Sequence, residues 1–421
     1  MPKKSRRTRW ERLLPTLWAG FLVGSGLLFL FRLFQRPRLL VLAYHRVTPP
    51  EGASHWEMPE RYVSTETFAK QLRALRPFYR FVSLEEFQEI VTGKKRVHRH
   101  VALVTFDDGY RDNYEHALPI LRKLRVPAAF FISLGFVGDR RSFWFDRLAQ
   151  ACHDWEKGEA KRARLHSLLP PPLAAILEAA KPWGERLQQA LQFVARLPVQ
   201  ERRALLKRLL PDSGLSKQAS EALSWTEVRE LRAAGMSVGA HGRTHTTLIH
   251  MSAAEARREL QESLQGVSGG AETPVVAFAY PAGATDEDVT RWARDAGVEI
   301  AFTLEPRENR PGDDPLRLGR HNVCEDTSRD VFDEFCGPVF VGAMTGVLGL
   351  WRHAEAPASL AGAALLDLAW TGPQEAITPH ETLEGPPAAR LHQELRPPAP
   401  PTGLLQAAAR LPEVVRLRPR T

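Results

Sequence analysis

Two aspartates stand side by side at the end of an apolar run, Val101-Ala102-Leu103-Val104-Thr105-Phe106-Asp107-Asp108-Gly109-Tyr110. The run reads as a buried strand that stops where the carboxylates begin. Adjacent like charges cost free energy unless something holds them: a metal, a shared proton or a cationic partner. Further along, His241-Gly242-Arg243-Thr244-His245 places two imidazoles four residues apart. On a helical turn both would share one face, with roughly 5–6 Å between Cβ atoms. A carboxylate joining two such imidazoles makes a two-histidine, one-carboxylate metal site with open positions. One aspartate would then bind the metal and the other stay free as a general base. Either motif alone is a weak signal, since aspartate pairs cap helices and histidine pairs decorate surface helices. Their joint occurrence at strand ends carries the expectation.

Residues far apart must be brought together, and the pattern of elements supplies a way. Residues 39–43, 101–106, 128–132, 237–240, 275–278 and 299–302 read as apolar strands, with 316–323 a further one. Helical patterns separate most of them. Strands alternating with helices argue for a parallel α/β sheet or barrel. Four sites fall at strand ends: His45, Asp107 with Asp108, His241 with His245, and Tyr280. In a parallel barrel all strand C-termini open on one face, where such residues converge. Capping-box spacing marks helices at Ser83-Leu84-Glu85-Glu86, Asp112-Asn113-Tyr114-Glu115 and Ser224-Trp225-Thr226-Glu227. Residues 142–223 break the alternation. They are rich in Leu, Ala and Arg, and read as a helical insertion within a body of residues 39–350.

The chain has 421 residues and a formal net charge of +8. Residues 1–38 hold nine basic side chains against Glu11 alone, so the body beyond them is close to neutral. That distribution disfavours nucleic acid and favours a membrane or targeting role for the N-terminus. Residues 13–31 are uncharged and, as one helix, would span about 28 Å, enough for a hydrocarbon core. Six basic residues precede this stretch and three follow it. The expectation is a single-pass anchor in a bacterial cell membrane, touching lipid, with the body on the outer side. An interfacial helix is the alternative. Eleven prolines in residues 351–421 point to a disordered tail. The three cysteines lack C-x-x-C spacing, so no disulfide framework or cysteine-built zinc site is implied.

These motifs resemble those of the polysaccharide deacetylases (the NodB-homology domain, carbohydrate esterase family four), over roughly residues 39–323. Thr105-Phe106-Asp107-Asp108-Gly109-Tyr110 is similar to the first family motif, His241 to His245 to the second, and Phe278-Ala279-Tyr280-Pro281-Ala282-Gly283 to the third. Tyr44-His45-Arg46-Val47 resembles the branch containing poly-N-acetylglucosamine deacetylases. The resemblance implies an irregular (β/α)7 barrel and metal-dependent removal of acetyl groups from a glycan. It implies that Asp108, His241 and His245 hold Zn²⁺, with Co²⁺ or Ni²⁺ as alternatives. Asp107 would take the proton of the attacking water, and the Tyr280 backbone N–H would help bind the oxyanion. Ala279 stands where many members have an arginine that orients the base, and Arg320 is the candidate substitute. The late Leu-x-His motif that commonly supplies the family's general acid is absent, and the resemblance to this branch offers His45 for that role, with a structural histidine capping the first strand as the alternative. Gly242 replaces the usual hydroxyl residue between the histidines. An O-acetyl esterase and a carbohydrate-binding pseudoenzyme are the competing functions.

Overall fold

The computed structural model describes residues 9–50, 58–138, 143–156, 158–209 and 222–347. The tail expected over residues 351–421 lies outside these, as do residues 142, 157 and 210–221 of the expected insertion.

Among the described residues, ten strands follow in chain order: β1 (Leu39–Tyr44), β2 (Arg46–Thr48), β3 (Tyr62–Ser64), β4 (Arg80–Phe81), β5 (Val101–Phe106), β6 (Ala128–Ile132), β7 (Ser237–Ala240), β8 (Ala277–Ala279), β9 (Ile300–Phe302) and β10 (His321–Asn322). The main sheet runs β10-β1-β5-β6-β7-β8-β9, with β4 added to β5 and every pairing parallel. Leu318 bridges Phe302 of β9, while His321 pairs with Leu42 of β1. The chain leading into β10 therefore reaches both ends of the sheet. A curled parallel sheet with helices on its outside fits a (β/α) barrel.

Side chains on each strand alternate between two cores, because successive Cβ atoms point to opposite faces. Leu39, Val41, Val101, Leu103, Ala129, Phe131, Ala277, Ala279, Ile300 and Phe302 fill the barrel interior. Leu40, Leu42, Tyr44, Ala102, Val104, Phe106, Phe130 and Phe278 face outward into the helix layer. Strands buried on both faces leave no polar alternation, which is why they read as continuous apolar runs.

Among the described residues, fourteen α-helices surround or extend this sheet. The N-terminal pair is α1 (Arg9–Gly24) and α2 (Leu27–Leu33). Barrel helices α3 (Thr65–Leu75), α4 (Leu84–Val91) and α5 (Leu118–Leu124) precede the insertion. Phe87 and Ile90 of α4 join the interior core, so this helix closes one end of the barrel. The insertion comprises α6 (Trp144–Glu156), α7 (Glu159–His166), α8 (Pro171–Glu178), α9 (Trp183–Ala195) and α10 (Val199–Leu209). It has its own apolar core, including Phe145, Leu148, Trp155, Leu173, Val194 and Leu205. Then follow α11 (Trp225–Ala233), α12 (Ala253–Ala271), α13 (Glu287–Asp295) and α14 (Gly337–Met344).

Two local expectations need correction. Asp112 does not cap a helix: it pairs with Arg46 at 2.8 Å and accepts from the Val47 N–H, and residues 113–117 form a π-helical turn before α5. The single helix expected over residues 13–31 is broken at residues 25 and 26, where Gly26 takes φ +77°. The pieces on either side meet at 65°, and no single described helix is long and apolar enough to cross a membrane. By contrast, Ser224 and Glu227 form the full reciprocal capping box on α11.

Candidate active site

Strand parity delivers Asp107. Val101 and Leu103 face the barrel interior, and Asp107 continues the same alternation one step beyond β5. A carboxylate inside an apolar barrel needs a partner. Arg320 supplies it: its two terminal nitrogens donate to Asp107 Oδ1 and Oδ2, each at 2.7 Å. Both side chains are buried. The guanidinium is fixed further by its Nε donating to the Thr303 carbonyl at 2.9 Å and by the Thr105 hydroxyl at 3.1 Å. It also lies over the rings of Phe131 and Phe302. Burial, the largest single influence, raises the Asp107 pKa, but the Arg320 charge and hydrogen bonds together with the nearby histidines outweigh it, and the carboxyl sits below its ordinary value. Ala279 leaves the arginine's usual place empty, and the guanidinium enters from the chain just ahead of β10 instead.

Asp108 breaks the parity. Its φ of +74° turns the side chain away from the outward direction that alternation dictates, and Gly109 follows at φ +89°. Positive φ at a non-glycine residue stores strain of the kind found at functional sites. The turned carboxylate is fully buried. Its Oδ1 lies 2.9 Å from His245 Nε2 and 3.5 Å from His241 Nε2. Arg61 Nη1 donates to Oδ2 at 3.1 Å. Burial raises the Asp108 pKa, yet its close contacts with His245, Arg61 and His241 together hold it well below the ordinary value.

The two histidines do not sit on a helical turn, as their spacing suggested. Residues 241–245 form an irregular loop after β7, with Gly242 at φ +75° and His245 at φ +51°. Their ring centroids are nonetheless 5.0 Å apart. Glu259 of α12 holds the loop, accepting from the Arg243 N–H at 2.7 Å and the Thr244 hydroxyl at 2.9 Å. A Cβ at position 242 would come within 3.3 Å of both Glu259 Oε1 and Pro281. Glycine there answers to backbone conformation and close approach, not to a missing hydroxyl. His241 Nδ1 is 2.7 Å from the Ala279 carbonyl, which can only accept, so Nδ1 donates there and Nε2 is the nitrogen turned toward Asp108. Burial pushes the His245 pKa down, so its imidazole is neutral, as a metal ligand must be.

Asp108, His241 and His245 therefore present one carboxylate oxygen and two imidazole nitrogens, all within 4.8 Å of one another. Asp108 Oδ1 is buried and, despite its short contacts, has no partner in hydrogen-bond geometry. A buried acceptor with no donor beside two imidazoles fits a divalent cation with open positions, and the His241–Ala279 bond is the outer support such ligands need.

His45, Asp107, His241 and His245 line one cleft. His45 follows β1, is buried, and its Nδ1 has no hydrogen-bond partner. Burial pushes its pKa down to about 4 against the opposing pull of Asp108. Tyr280 requires correction. Its backbone N–H donates to the Phe302 carbonyl at 3.0 Å, and its hydroxyl donates to the Leu316 carbonyl at 3.1 Å. Position 280 prolongs the β8–β9 ladder, so this N–H is not free to bind an oxyanion. The neighbouring Ala282, at φ +59°, lines the cleft instead.

Several site residues carried no sequence signal. Arg61 ends a one-turn 3-10 helix, Pro59–Arg61, and stacks over Phe145 at 4.2 Å. The insertion supplies a whole wall: Trp144, Phe145, Gln188, Leu191 and Ala195. It also grips the histidine loop. Trp144 Nε1 donates to the His245 carbonyl at 3.3 Å, and Arg202 donates to the Thr246 hydroxyl at 2.6 Å. A capping glutamate or a Gly-rich turn announces itself locally; these contacts arise only when the insertion folds back over the barrel.

Comparison with known proteins agrees with this geometry. Residues 94–166 and 185–301 match the family model described as polysaccharide deacetylase. A stretch of 126 residues is 31% identical to the poly-beta-1,6-N-acetyl-D-glucosamine N-deacetylase of Staphylococcus aureus, covering 28% of this chain and 43% of that relative. The match thus spans less than half the length of the curated relative. Among solved structures, IcaB from Ammonifex degensii is 23% identical with a TM-score of 0.46, covering 70% of this chain and 94% of that one. The Streptococcus pyogenes deacetylase PplD is 17% identical with a TM-score of 0.47, covering 74% and 99%. The family match takes in the paired aspartates, both histidines and strands β5 to β8 with most of β9, and the matched residues form a polysaccharide deacetylase domain within the barrel.

Proposed function

We propose that this chain hydrolyses N-acetyl groups on an amino-sugar polysaccharide, releasing acetate and leaving a free amine. The observation that carries the reading is the division of labour between neighbours: Arg320 pins Asp107, while Asp108 joins two histidines in the same cleft. The name of the Staphylococcus aureus relative supports an exopolysaccharide N-acetyl substrate.

The chain's own residues suit each step. Asp107 is ionised, and the lone pairs that Arg320 does not use can accept the proton of an attacking water. Its depressed pKa makes it a reluctant holder of that proton, which must pass on to the leaving nitrogen as the C–N bond breaks. His45, neutral at neutral pH, can collect a proton from the cleft and deliver it there. A divalent ion on Asp108, His241 and His245 would supply Lewis acidity to the acetyl carbonyl and lower the pKa of water. With its N–H committed to the sheet, Tyr280 offers no backbone donor to an oxyanion. Leu191, Phe145 and Leu304 give the cleft apolar wall for the C–H faces of sugar rings.

An acetate-release screen on metal-loaded protein tests this. The substrates are poly-N-acetylglucosamine oligomers, chitin oligomers, peptidoglycan and acetylated xylan. Acetate release matched by new primary amine is the expected result. Release from acetylated xylan alone would mean ester hydrolysis, and metal binding without release from any substrate would mean a binding protein.

A further inference from the structure

Among the described residues, ten large apolar side chains are exposed, and nine of them fall within residues 14–34. Phe34 is 90% exposed, Leu14 65%, Leu33 62% and Phe31 60%. We propose that α1 and α2 form an amphipathic foot that seats the barrel on an anionic lipid surface, lying in the interface and not spanning the bilayer. The inference stands apart from the deacetylase reading and needs no catalytic residue.

The opposite side of the same two helices is committed to the body. Leu28 is buried in the outer core, with Leu22 and Val23 packed against that core. Ala19 is buried as well. Arg32 is 4% exposed and pairs with Glu308 at 2.8 Å. The Arg32 carbonyl accepts from His100 Nε2 at 3.0 Å, and Phe29 meets Phe78 edge-on. A helix fastened along the barrel in this way cannot also run down the membrane normal. Length agrees: 16 residues of α1 reach about 24 Å and seven of α2 about 10 Å, against a hydrocarbon core of about 30 Å. The 65° bend keeps the two from adding into one rod. One packed side and one exposed apolar side is the signature of an interfacial helix pair.

Charge selects the occupant. The +8 net charge of the chain is carried by residues 1–38, which flank and include the exposed face. Basic residues beside an apolar face complement anionic headgroups, each contributing about 1 kcal/mol near such a surface. A second copy of this chain docking through the same patch would bring two such basic segments together.

Placement then orients the site. His100 immediately precedes β5, and Asn309, next to Glu308, bridges Leu39 at the start of β1. The foot therefore docks at the strand N-termini, while Asp107 and Asp108 follow the C-terminus of β5. Six residues of β5 separate the two levels by about 20 Å. The cleft opens away from the lipid.

Vesicle flotation of the full chain, diluted from mild detergent, tests the foot. It should float with phosphatidylglycerol-containing vesicles, more weakly with phosphatidylcholine alone or in high salt, and come off in an alkaline carbonate wash. The double variant Phe31→Glu, Phe34→Glu should bind at least about tenfold more weakly, with metal content unchanged as the control for folding. Retention through carbonate with release only by detergent would show a span and overturn the proposal. So would failure to float on either vesicle, flotation indifferent to the double variant, or a concentration-dependent dimer without flotation.

Discussion

The barrel rim and the helical insertion face the same cleft but are built on opposite terms. The rim is polar and over-determined. Asp107 is held by two bonds from Arg320, which is itself fixed by Thr303 and Thr105. Asp108 is met by two histidines and Arg61. The insertion side is mostly apolar, and Leu191 and Ala195 touch the cleft without a charged group between them. The contrast teaches where chemistry and where recognition reside. Groups whose ionisation matters are locked by buried partners, while the surface that meets a polymer is made of replaceable area. Changes at the rim should therefore act on turnover, and changes in the insertion on substrate affinity.

The largest effect expected from disturbing a support at the rim comes from Arg320→Met. It strips a buried carboxylate of its partner and should cost about 3–5 kcal/mol of stability, with turnover falling sharply. Adding Asp107→Asn to that variant should restore much of the stability and none of the activity. Denaturant unfolding and acetate release, read together, separate the two; full activity in Arg320→Met would dissolve the distinction between rim and insertion.

A smaller effect belongs to the insertion. Leu191→Ala removes apolar area from the cleft and should raise KM by roughly fivefold, worth about 1 kcal/mol, with kcat close to wild type. A fall in kcat at constant KM would place the insertion in the chemistry.

The smallest effect is a slope. Burial pushes the His321 pKa down to about 4. An unfolded histidine titrates near 6.5, so between these values the unfolded chain binds a proton that the folded one refuses. Stability is therefore fully present above pH 6.5 and is lost as pH falls toward 4. His321→Gln should flatten the pH dependence of unfolding free energy over that window by about one proton. His45, pushed to about 4 as well, adds to the same slope, so acid sensitivity is a property of the barrel rim.

How far the sequence could be read follows the same division. Strands β5, β6 and β7 were legible because both faces are buried, leaving uninterrupted apolar runs. The paired aspartates and the two histidines were legible as residue types at strand ends. Arg320 could be nominated because Ala279 left a role without a holder. Arg61 and Glu259 could not, since each meets the site through a contact distant in sequence and no spacing encodes it. The oxyanion role that the resemblance implies for the Tyr280 N–H fails because the β8–β9 ladder still claims that donor. The helical reading of residues 241–245 failed on backbone conformation, where two left-handed residues bring the rings together without a helix. The uncharged stretch of residues 13–31 showed its hydropathy but not its break, because three glycines permit a bend that only packing on the barrel selects.

The central claim is that adjacent aspartates do different work, and Asp107→Asn tests it most directly. The variant should bind a divalent ion at the wild-type stoichiometry, measured by elemental analysis, while acetate release falls by about 10²–10⁴-fold. Wild-type acetate release from Asp107→Asn, or loss of the ion along with activity, would contradict the account.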